Sequence, residues 1–373
     1  MTIGRITGHT MLNTTDAGIL TLHEFVKKAH TALNANIWDY LVGGANTETT
    51  LKRNRQALDS IAFRPRVLMD VSEIDPSAQF FGQRIRLPVA LAPVGSLESF
   101  EAGGGASVAQ GAGDFGVPMF CSSVTQPGLE AVAAAGTGPK VYQLYVRGDD
   151  AFIDDHAQRA IEAGYTAFCI TVDTAVYSRR ERDIAKRFIK TWRAANTGMG
   201  FQAGLTWAHI ERFKAKHRIP LILKGIATAE DAARAVELGV DCVYVSNHGG
   251  RQLDHGRGAL DVLPEVVAAV GGRAKIMVDG GVSRGTDVVK AIAMGADTVA
   301  IGRLYLYGLA VAGAAGVAQV LEILENEVCE CLGLLGLASF AGLDRSYVHP
   351  AHPVTPPHVH SAFPLLNLSD SGY

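Results

Sequence analysis

A proton carrier and an anion-binding side chain lie three residues apart in the stretch Val243–Asp254, which reads VYVSNHGGRQLD. Its apolar start is typical of a buried strand, and the two glycines allow a sharp turn close to a ligand. His248 can carry a proton near neutral pH, and Arg251 presents a planar group suited to a carboxylate. Polar groups at the end of a buried strand are costly without a partner or a task. The stretch therefore indicates chemistry on an organic acid, the alternative being an ordinary core histidine.

The composition excludes several classes of protein. The chain has 373 residues, of which 48% are hydrophobic and 19% charged, and its net charge is −3. This is typical of a soluble globular protein, and no basic surface for nucleic acid is indicated. Met1–Leu20 lacks the basic start and apolar core of a secretory signal. The odd number of cysteines, five, favours a reducing compartment, so we expect a cytoplasmic protein. Their spacing suits no metal site, and we expect none.

From Leu87 onward, Ala-rich helical segments that end in glycine alternate with short apolar runs. The predicted strands are Leu87–Ala92, Val117–Cys121, Lys140–Tyr145, Ala167–Val172, Pro220–Lys224, Cys242–Val245, Lys275–Val278 and Thr298–Ile301. Alternating strands and helices imply a parallel sheet, and eight such units imply a closed (β/α)₈ TIM barrel of the α/β class. We therefore divide the chain into an N-terminal helical and hairpin extension (1–85), the barrel (86–348) and an irregular C-terminal tail (349–373).

Four further segments carry expectations of their own. Apolar residues at helical spacing predict one helix over Asp16–Asn46. Phe63–Phe81 is expected to be extended, and Lys190–Gly204 to form a loop over the active face. Leu304–Leu321 carries no charge. A membrane span is one interpretation, but its Gly and Ala content favours a helix buried against the barrel or a neighbouring subunit.

Active sites of such barrels lie at the carboxyl ends of the strands. Nearly every predicted strand ends in hydrogen-bonding, charged or glycine residues: Pro93, Val94, Gly95, Ser122, Gln143, Tyr145, Thr171, Asp173, Lys224, Ser246, His248, Asp279, Gly281, Gly302 and Arg303. The last two strand ends combine glycines with a helix N-terminus, where barrels commonly hold phosphate. Together with Lys224 and Gln143 on other strands, they predict a site for a phosphorylated cofactor.

Seven segments carry a resemblance to a known family: Trp38–Tyr40, Phe63–Arg66, Leu91–Pro93, Tyr142–Tyr145, Thr171–Thr174, Ser246–Gln252 and Asp279–Gly281. From about Leu22 to Ser346 the chain resembles the FMN-dependent 2-hydroxy-acid oxidases and dehydrogenases, which include glycolate oxidase, lactate oxidase and mandelate dehydrogenase. The SNHGGRQ stretch in a barrel context is highly specific. The resemblance implies FMN as cofactor and an L-2-hydroxy acid as substrate, oxidised to the 2-keto acid.

The resemblance also implies roles for residues on the substrate side. It makes His248 the base that takes the substrate proton, and it makes Asp173 the group that orients His248. The substrate carboxylate and hydroxyl are expected to contact Arg251, Arg180, Tyr40 and Tyr145. Two alternatives remain open at this stage. Asp173 could instead cap a helix, and Arg180 could belong to a solvated run of charges.

A second set of residues is implied to hold the flavin. Lys224 matches the lysine beside the flavin N1–O2 edge, where negative charge accumulates on reduction. Flavin-ring or ribityl contacts are implied for Pro93, Val94, Gly95, Ser122, Gln143, Thr171 and Ser246. Contacts with the ribityl and phosphate end are implied for Asp279, Gly281, Gly302 and Arg303.

The chain departs from the family at informative positions. Ser283 replaces an arginine that helps to hold phosphate, and we expect the neighbouring Arg284 to point elsewhere. Val124 replaces a tryptophan of glycolate oxidase, which enlarges the pocket, and Tyr177 replaces a small aliphatic residue. We therefore expect a substrate larger than glycolate, aromatic or long-chain. The loop Lys190–Gly204 is short and has no membrane-binding insert, which favours a soluble enzyme.

Three functions fit these observations. The first is an oxidase that passes electrons to O₂ and forms hydrogen peroxide; the second is a dehydrogenase that uses a quinone or a protein instead. The residue at Gly95 varies between these two activities. The third is an FMN-barrel isomerase or flavin-binding protein, which would be expected to lack His248, Arg251 and Arg180. Hydride and carbanion paths both use His248. We expect a homo-oligomer, a tetramer or octamer, with no nucleic-acid or membrane partner.

Overall fold

The N-terminal extension contains three helices: α1 (Leu22–Ala32), α2 (Ala35–Val42) and α3 (Thr49–Asp59). The structure, a computed structural model, describes residues 18–188 and 199–366. The prediction of one helix over Asp16–Asn46 is wrong. Leu33 has an extended backbone, and the side chain of Asn34 caps a new helix by accepting the N–H groups of two following residues. Helix α3 was not predicted at all.

Three short strands follow: β1 (Ile61–Phe63), β2 (Ala78–Phe80) and β3 (Gln83–Ile85). Strands β2 and β3 form an antiparallel hairpin over the dipeptide Phe81-Gly82, whose φ angles are 45° and 80°. Two positive φ angles give the turn that matches the twist of a tight hairpin. The segment predicted to be extended thus contains one hairpin strand and the end of β1.

Eight parallel strands close into a barrel in the order β10-β11-β4-β5-β6-β7-β8-β9. They are β4 (Val89–Leu91), β5 (Met119–Ser122), β6 (Lys140–Leu144), β7 (Ala167–Thr171), β8 (Leu221–Ile226), β9 (Cys242–Val245), β10 (Lys275–Val278) and β11 (Thr298–Ile301). The predicted barrel is confirmed, with each strand within two residues of its predicted bounds. The register pairs Ser122 with Gln143 and Thr171 with Lys224, so these polar side chains lie at one level near the carboxyl ends.

A compact apolar cluster fills the barrel interior. It includes Phe120, Tyr244 and Met277, and the hairpin residues Phe80 and Ile85 pack against it. The hairpin therefore closes the amino-terminal end of the barrel, which leaves the carboxyl end for the site. The cysteines predicted to be core residues, Cys121, Cys169 and Cys242, are all buried.

Ten further α-helices lie after the barrel begins: Gly104–Phe115, Leu129–Ala134, Asp150–Glu162, Glu181–Ala185, Met199–Ala203, Trp207–Lys216, Ala229–Glu237, Ala259–Val270, Gly285–Ala293 and Arg303–Leu335, counted over the described ranges. Single 3₁₀ turns occupy Leu97–Ser99, Phe340–Gly342 and Arg345–Tyr347. The predicted loop Lys190–Gly204 is helical at Met199–Ala203, where that part of the prediction is wrong. Residues 190–198 lie outside the described residues.

The uncharged stretch predicted as Leu304–Leu321 lies in the helix Arg303–Leu335. This helix is long and apolar enough to cross a membrane by length and composition, but 56% of its most apolar window is buried inside the protein. Its neighbours include α1 and the helices Gly104–Phe115 and Gly285–Ala293. Non-helical backbone at Ala312 and Gly313 interrupts it. It is a helix packed against the barrel's outer layer, as the Gly and Ala content predicts.

The tail begins with a strand, β12 (Val348–Pro350), which pairs antiparallel with β1. The prediction of an irregular tail from 349 is therefore wrong for its first two residues. Residues 351–366 contain turns without helix or strand. They pack back on this chain: Phe363 is buried, and His360 stacks on Trp38 with 5.5 Å between ring centroids. The tail thus joins the barrel to the extension.

Candidate active site

A cavity that opens to solvent lies at the carboxyl ends of the strands. Its empty volume is about 1460 Å³, which includes the part open to solvent. Most predicted site residues line it: Tyr40, Pro93, Val94, Gly95, Val124, Tyr145, Tyr177, Arg180, Lys224, His248, Arg251, Asp279, Gly281, Gly302 and Arg303. Five do not line it directly: Ser122, Gln143, Thr171, Asp173 and Ser246. Those five contact one another or a lining residue through hydrogen bonds, so the structure brings the whole set together.

His248 follows strand β9 and occupies the left-handed region with φ 60°. That backbone is unusual for a residue with a side chain, and the hydroxyl of Ser246 holds it by accepting the His248 N–H at 3.0 Å. The ring Nδ1 lies 3.0 Å from Asp173 Oδ1, and Nε2 lies 3.2 Å from the Tyr145 hydroxyl. Because a carboxylate can only accept, Nδ1 carries the proton. The lone pair of Nε2 is therefore directed towards Tyr145 and the cavity.

The electrostatics of this pair favour a neutral imidazole beside a charged carboxylate. Burial lowers the pKa of His248 below its ordinary value, and the Asp173 carboxylate only partly opposes this. Burial would raise the pKa of Asp173, but His248 and Lys224 outweigh it and hold that pKa below its usual range. A neutral histidine oriented by a carboxylate can accept a proton, which is what a general base requires. The arrangement is that of an oriented base, and Asp173 caps no helix.

Two guanidinium groups line the cavity, that of Arg180, which is buried, and that of Arg251, which is partly buried. Arg251 donates from Nη1 to the carbonyl oxygens of Tyr40 and Gly43 at 2.8 and 2.7 Å. Burial and the nearby Arg180 lower the pKa of Arg251 to about 9. Arg180 lies 4.9 Å above the Tyr177 ring, and its Nε is buried without a hydrogen-bond partner in the described part of the chain. Two close positive charges with unused donors favour a bound anion such as a carboxylate.

Lys224 adds a third positive charge from β8, the strand between β7, which precedes Arg180, and β9, which precedes Arg251. Its Nζ donates to Ser246 Oγ at 2.9 Å and lies 3.6 Å from Asp279 Oδ2. Burial disfavours the ammonium, but Asp279 and Asp173 outweigh it and raise the pKa of Lys224. This lysine therefore keeps its charge inside the barrel, where it can stabilise negative charge on a bound ring.

Behind the cavity, three buried polar side chains form a chain across neighbouring strands. Ser122 Oγ donates to Gln143 Oε1 at 2.7 Å, and Gln143 Nε2 donates to Thr171 Oγ1 at 2.8 Å. All three are nearly inaccessible to solvent. Buried polar groups need hydrogen-bond partners, and these three side chains supply them to one another.

The turn after β10 requires glycine. Gly281 has φ 81°, and a Cβ on it would lie 3.1–3.2 Å from the backbone of α3. Asp279 Oδ1 is buried and has no hydrogen-bond partner within the described ranges. Gly302 precedes the helix Arg303–Leu335, whose first amides have no side-chain cap and open on the cavity. Glycine turns and an uncapped helix N-terminus suit a phosphate, and an orphaned carboxylate oxygen suits a ribityl hydroxyl. These residues fit FMN.

Arg303 is less available to bind a phosphate than its predicted role implies. Its Nε donates to the Leu41 carbonyl at 3.0 Å, and Nη2 donates to the carbonyls of Gly43 and Gly249 at 2.8 and 3.1 Å. The guanidinium therefore ties α2 to the His248 loop. Nη1 lies 3.0 Å from the position of a Cβ on Gly249, and the side chain also lines the cavity.

The sequence patterns missed several residues that line the cavity: Leu51, Asn54, Arg55, Phe100, Arg147, Met199 and His358. Arg147 could have been predicted, because it lies just after strand β6 and two residues beyond Tyr145. Asn54 and Arg55 had none, because α3 was not predicted. His358 lies in the tail, where no pattern pointed to the barrel.

The fold and site define a barrel enzyme with an oriented base, an anion clamp and a place for a phosphorylated cofactor. The FMN-dependent dehydrogenase family matches residues 29–350, and the chain belongs to this family. It is 38% identical to L-lactate oxidase of Nostoc sp. over 88% of this chain and 98% of that protein. It is 38% identical to 4-hydroxymandelate oxidase of Amycolatopsis orientalis over 87% of this chain and 97% of that protein.

A solved structure also matches closely. The crystal structure of mandelate oxidase with benzoyl-formic acid has a TM-score of 0.84 and 38% sequence identity, and the match covers 91% of this chain and 100% of the other. The resemblance found in the sequence is confirmed, as are the fold and the FMN cofactor of the family.

Proposed function

We propose that this protein oxidises an L-2-hydroxy acid to the 2-keto acid with FMN and reduces O₂ to hydrogen peroxide. One observation carries the proposal: His248, oriented by Asp173 at 3.0 Å, opens on the cavity that also holds two guanidinium groups. A base and an anion clamp in one cavity fit a molecule with a carboxylate beside its carbinol carbon. The relatives named L-lactate oxidase and 4-hydroxymandelate oxidase support the same reaction.

The residues divide the work of substrate binding and proton transfer. Arg180 and Arg251 bind the carboxylate, and the Tyr40 and Tyr145 hydroxyls are positioned for its oxygens and the substrate hydroxyl. His248 Nε2 takes one proton from the substrate, and Asp173 stabilises the imidazolium that results. Both a hydride path and a carbanion path use this base.

FMN, when bound, accepts the two electrons that leave the substrate, and O₂ then takes them with two protons to form hydrogen peroxide. Lys224 would lie at the edge of the ring that becomes negative, with Pro93, Val94 and Gly95 along an apolar face. Ser122, Gln143, Thr171 and Ser246 would supply the buried polar contacts. Asp279, Gly281, Gly302 and Arg303 would hold the ribityl chain and phosphate.

We infer a substrate with a side chain larger than that of glycolate. Val124 lines the cavity and packs against Gly95, where a tryptophan would fill the space. Tyr177 adds an aromatic wall held against Arg180. An aromatic or long apolar side chain buries more surface in such a pocket than a small one. The mandelate oxidase structures, which share 38% identity, support an aromatic acid.

The test is flavin reduction without oxygen. The yellow protein is mixed anaerobically with glycolate, lactate, mandelate and a long-chain 2-hydroxy acid, the absorbance is followed, and air is then admitted. Bleaching that is fastest with the larger acids, followed by rapid recolouring in air, is expected. No bleaching by any acid contradicts the proposal, whereas slow recolouring in air identifies a dehydrogenase that uses a quinone or protein acceptor.

His248→Ala provides the matched test of the base. This variant should keep its flavin and lose reduction by about 10²–10⁴-fold, the usual contribution of a general base. His352→Ala, an exposed histidine outside the cavity, is the control and should reduce at the normal rate. Equal reduction rates in His248→Ala and the parent protein would refute the assignment.

We also propose that the protein is a homo-oligomer, a tetramer or octamer. Three consecutive apolar side chains support this, since Val67, Leu68 and Met69 are 80%, 101% and 54% exposed. Contiguous exposed apolar groups mark interaction surfaces. Light scattering on the FMN-loaded protein should give a multiple of the 39.5 kDa chain mass; the mass of a single chain contradicts the proposal.

A further inference from the structure

The phosphate end of the cavity has less positive charge on its glycine turn than the family pattern implies. Ser283 donates its hydroxyl to the Gly281 carbonyl at 3.1 Å, and its N–H donates to Asp287 Oδ2 at 2.9 Å. Arg284 pairs with Glu327, with 2.6 Å between Nη2 and Oε1. Both side chains therefore already have partners within the protein. Arg303 donates through Nε and Nη2 to carbonyl oxygens.

The C-terminal tail lies beside this end, where Arg284 Nη1 donates to the Ala362 carbonyl at 3.5 Å, and it brings another polar side chain to the cavity. His358 lines the same cavity as Ser283, Gly302 and Arg303. Its position is fixed by neighbours further along the tail. The His360 ring stacks on Trp38, and Phe363 is buried with only 2% of its surface exposed.

The tautomer of His358 makes it a donor. Its Nδ1 accepts the backbone N–H of His360 at 3.1 Å. A ring nitrogen that accepts carries no proton, so in the neutral ring the proton is on Nε2. The backbone of His358 is satisfied separately, because its N–H donates to Ser361 Oγ at 3.1 Å and its carbonyl accepts from that hydroxyl at 2.8 Å. The side chain thus makes one hydrogen bond in that turn, through Nδ1, and no hydrogen bond of Nε2 is found in the described part of the chain.

We propose that His358 donates a hydrogen bond from Nε2 to the phosphate of FMN and takes over part of the role of the arginine that Ser283 replaces. The inference rests on FMN as the cofactor. The tail then covers the phosphate end of the cavity. Trp38 of the extension holds the tail in place, and the glycine turns of the barrel form the other side of the phosphate site. A phosphate monoester is the ligand group that this donor, Arg303 and the helix N-terminus share.

The experiment compares FMN with riboflavin, which has the same ring and ribityl chain but no phosphate. Apoprotein is titrated with each flavin, and binding is followed by the quenching of flavin fluorescence. The variant is His358→Asn, because an asparagine oxygen can still accept the His360 N–H in a local turn while its amide is too short to replace Nε2. The control is His352→Ala, whose exposed side chain lies in the same tail outside the cavity.

The expected result is a loss of FMN affinity of about tenfold in His358→Asn, equal to about 1.4 kcal/mol, with riboflavin affinity unchanged. His352→Ala should bind both flavins as the parent does. Equal weakening for FMN and riboflavin would show a structural role for His358 and overturn the proposal, as would no weakening for either. These outcomes are independent of turnover, so they are distinct from a failure of the proposed oxidation.

A second variant tests the exchange of roles. Ser283→Arg restores the arginine at the turn, and in the His358→Asn background it should return FMN affinity to at least the parent value while leaving riboflavin affinity unchanged. If the added arginine improves riboflavin and FMN alike, or improves neither, then Ser283 and His358 do not serve the same phosphate.

Discussion

At the scale of single residues, the chemistry depends on keeping one imidazole neutral and oriented inside a positively charged cavity. Burial, Lys224 and Arg180 all lower the pKa of His248, and only Asp173 raises it. His248 and Lys224 together hold the pKa of Asp173 below its usual range, so this carboxylate stays ionised. A substrate carboxylate would neutralise part of this positive field, so substrate binding itself should make His248 a stronger base.

Asp173→Asn removes the one group that raises the pKa of His248. That pKa already lies below its ordinary value and should fall further. Because the base must be neutral to accept a proton, the acidic limb of kcat/KM should move to lower pH. The plateau should fall by about 10²-fold, since the base is weaker and less firmly oriented. A pH profile of the FMN-loaded variant measures both; a limb that moves to higher pH would contradict the assigned pair.

Val124→Trp tests the size of the pocket. The Val124 side chain lies 2.7 Å from the position of a Cβ on Gly95, so a larger group at this position must project into the cavity. Overpacking typically costs about 1–3 kcal/mol, which predicts a rise of about 5–150-fold in KM for mandelate and little change for glycolate. Val124→Ile serves as a milder control. Equal changes for both acids would show that Val124 does not contact the substrate side chain.

At the scale of elements, the barrel was predictable and the extension was not. The barrel strands are short apolar runs between glycines, and burial on both faces makes such runs visible in a sequence. Helix α3 reads TTLKRNRQALD and buries Thr50, Asn54 and Arg55 through polar contacts. Only Leu51, Ala57 and Leu58 are apolar on its buried face, and these are too few for a pattern of apolar spacing to show the helix. The cavity residues on α3 were therefore missed with it.

The same limit applies to the break between α1 and α2 and to the tail. Asn34 ends one amphipathic run and caps the next, so the apolar spacing continues across it and suggests a single helix. His358 lies in a tail that begins with the pairing of β12 and β1, and a pairing between residues nearly 290 positions apart leaves no local signal. By contrast, His248, Arg251 and Lys224 follow directly from strand ends.

Helix α3 is attached to the barrel by a buried ion pair. Arg55 Nη1 lies 2.7 Å from Asp287 Oδ2, with side-chain exposures of 5% and 1%. Asp287→Asn should destabilise the protein by about 3–5 kcal/mol, because it leaves the Arg55 charge buried and only partly compensated by Asp59. Urea unfolding measures the loss. Arg84→Ala, which breaks the exposed Arg84–Asp75 pair, should cost less than about 1 kcal/mol, and equal losses would contradict the argument.

At the scale of the whole molecule, the cofactor site lies where all parts of the chain meet. Tyr40 comes from the extension, Lys224 and Asp279 from the barrel, and His358 from the tail, and all four line one cavity. The hairpin closes the opposite end of the barrel. A ligand that contacts each part should therefore make the extension, barrel and tail unfold as one unit.

FMN removal tests this coupling. A ligand that binds only the folded chain stabilises it by about 2.7 kcal/mol at a free concentration of 100 times its Kd. Calorimetry should therefore show one transition for the loaded protein, at a higher temperature than for the apoprotein. Riboflavin at the same multiple of its own Kd should raise the free energy of unfolding equally but leave the tail less protected from proteolysis, because it lacks the phosphate that the tail contacts. If FMN leaves the extension unfolding in a separate, unshifted transition, then the cofactor contacts the barrel without joining it to the extension.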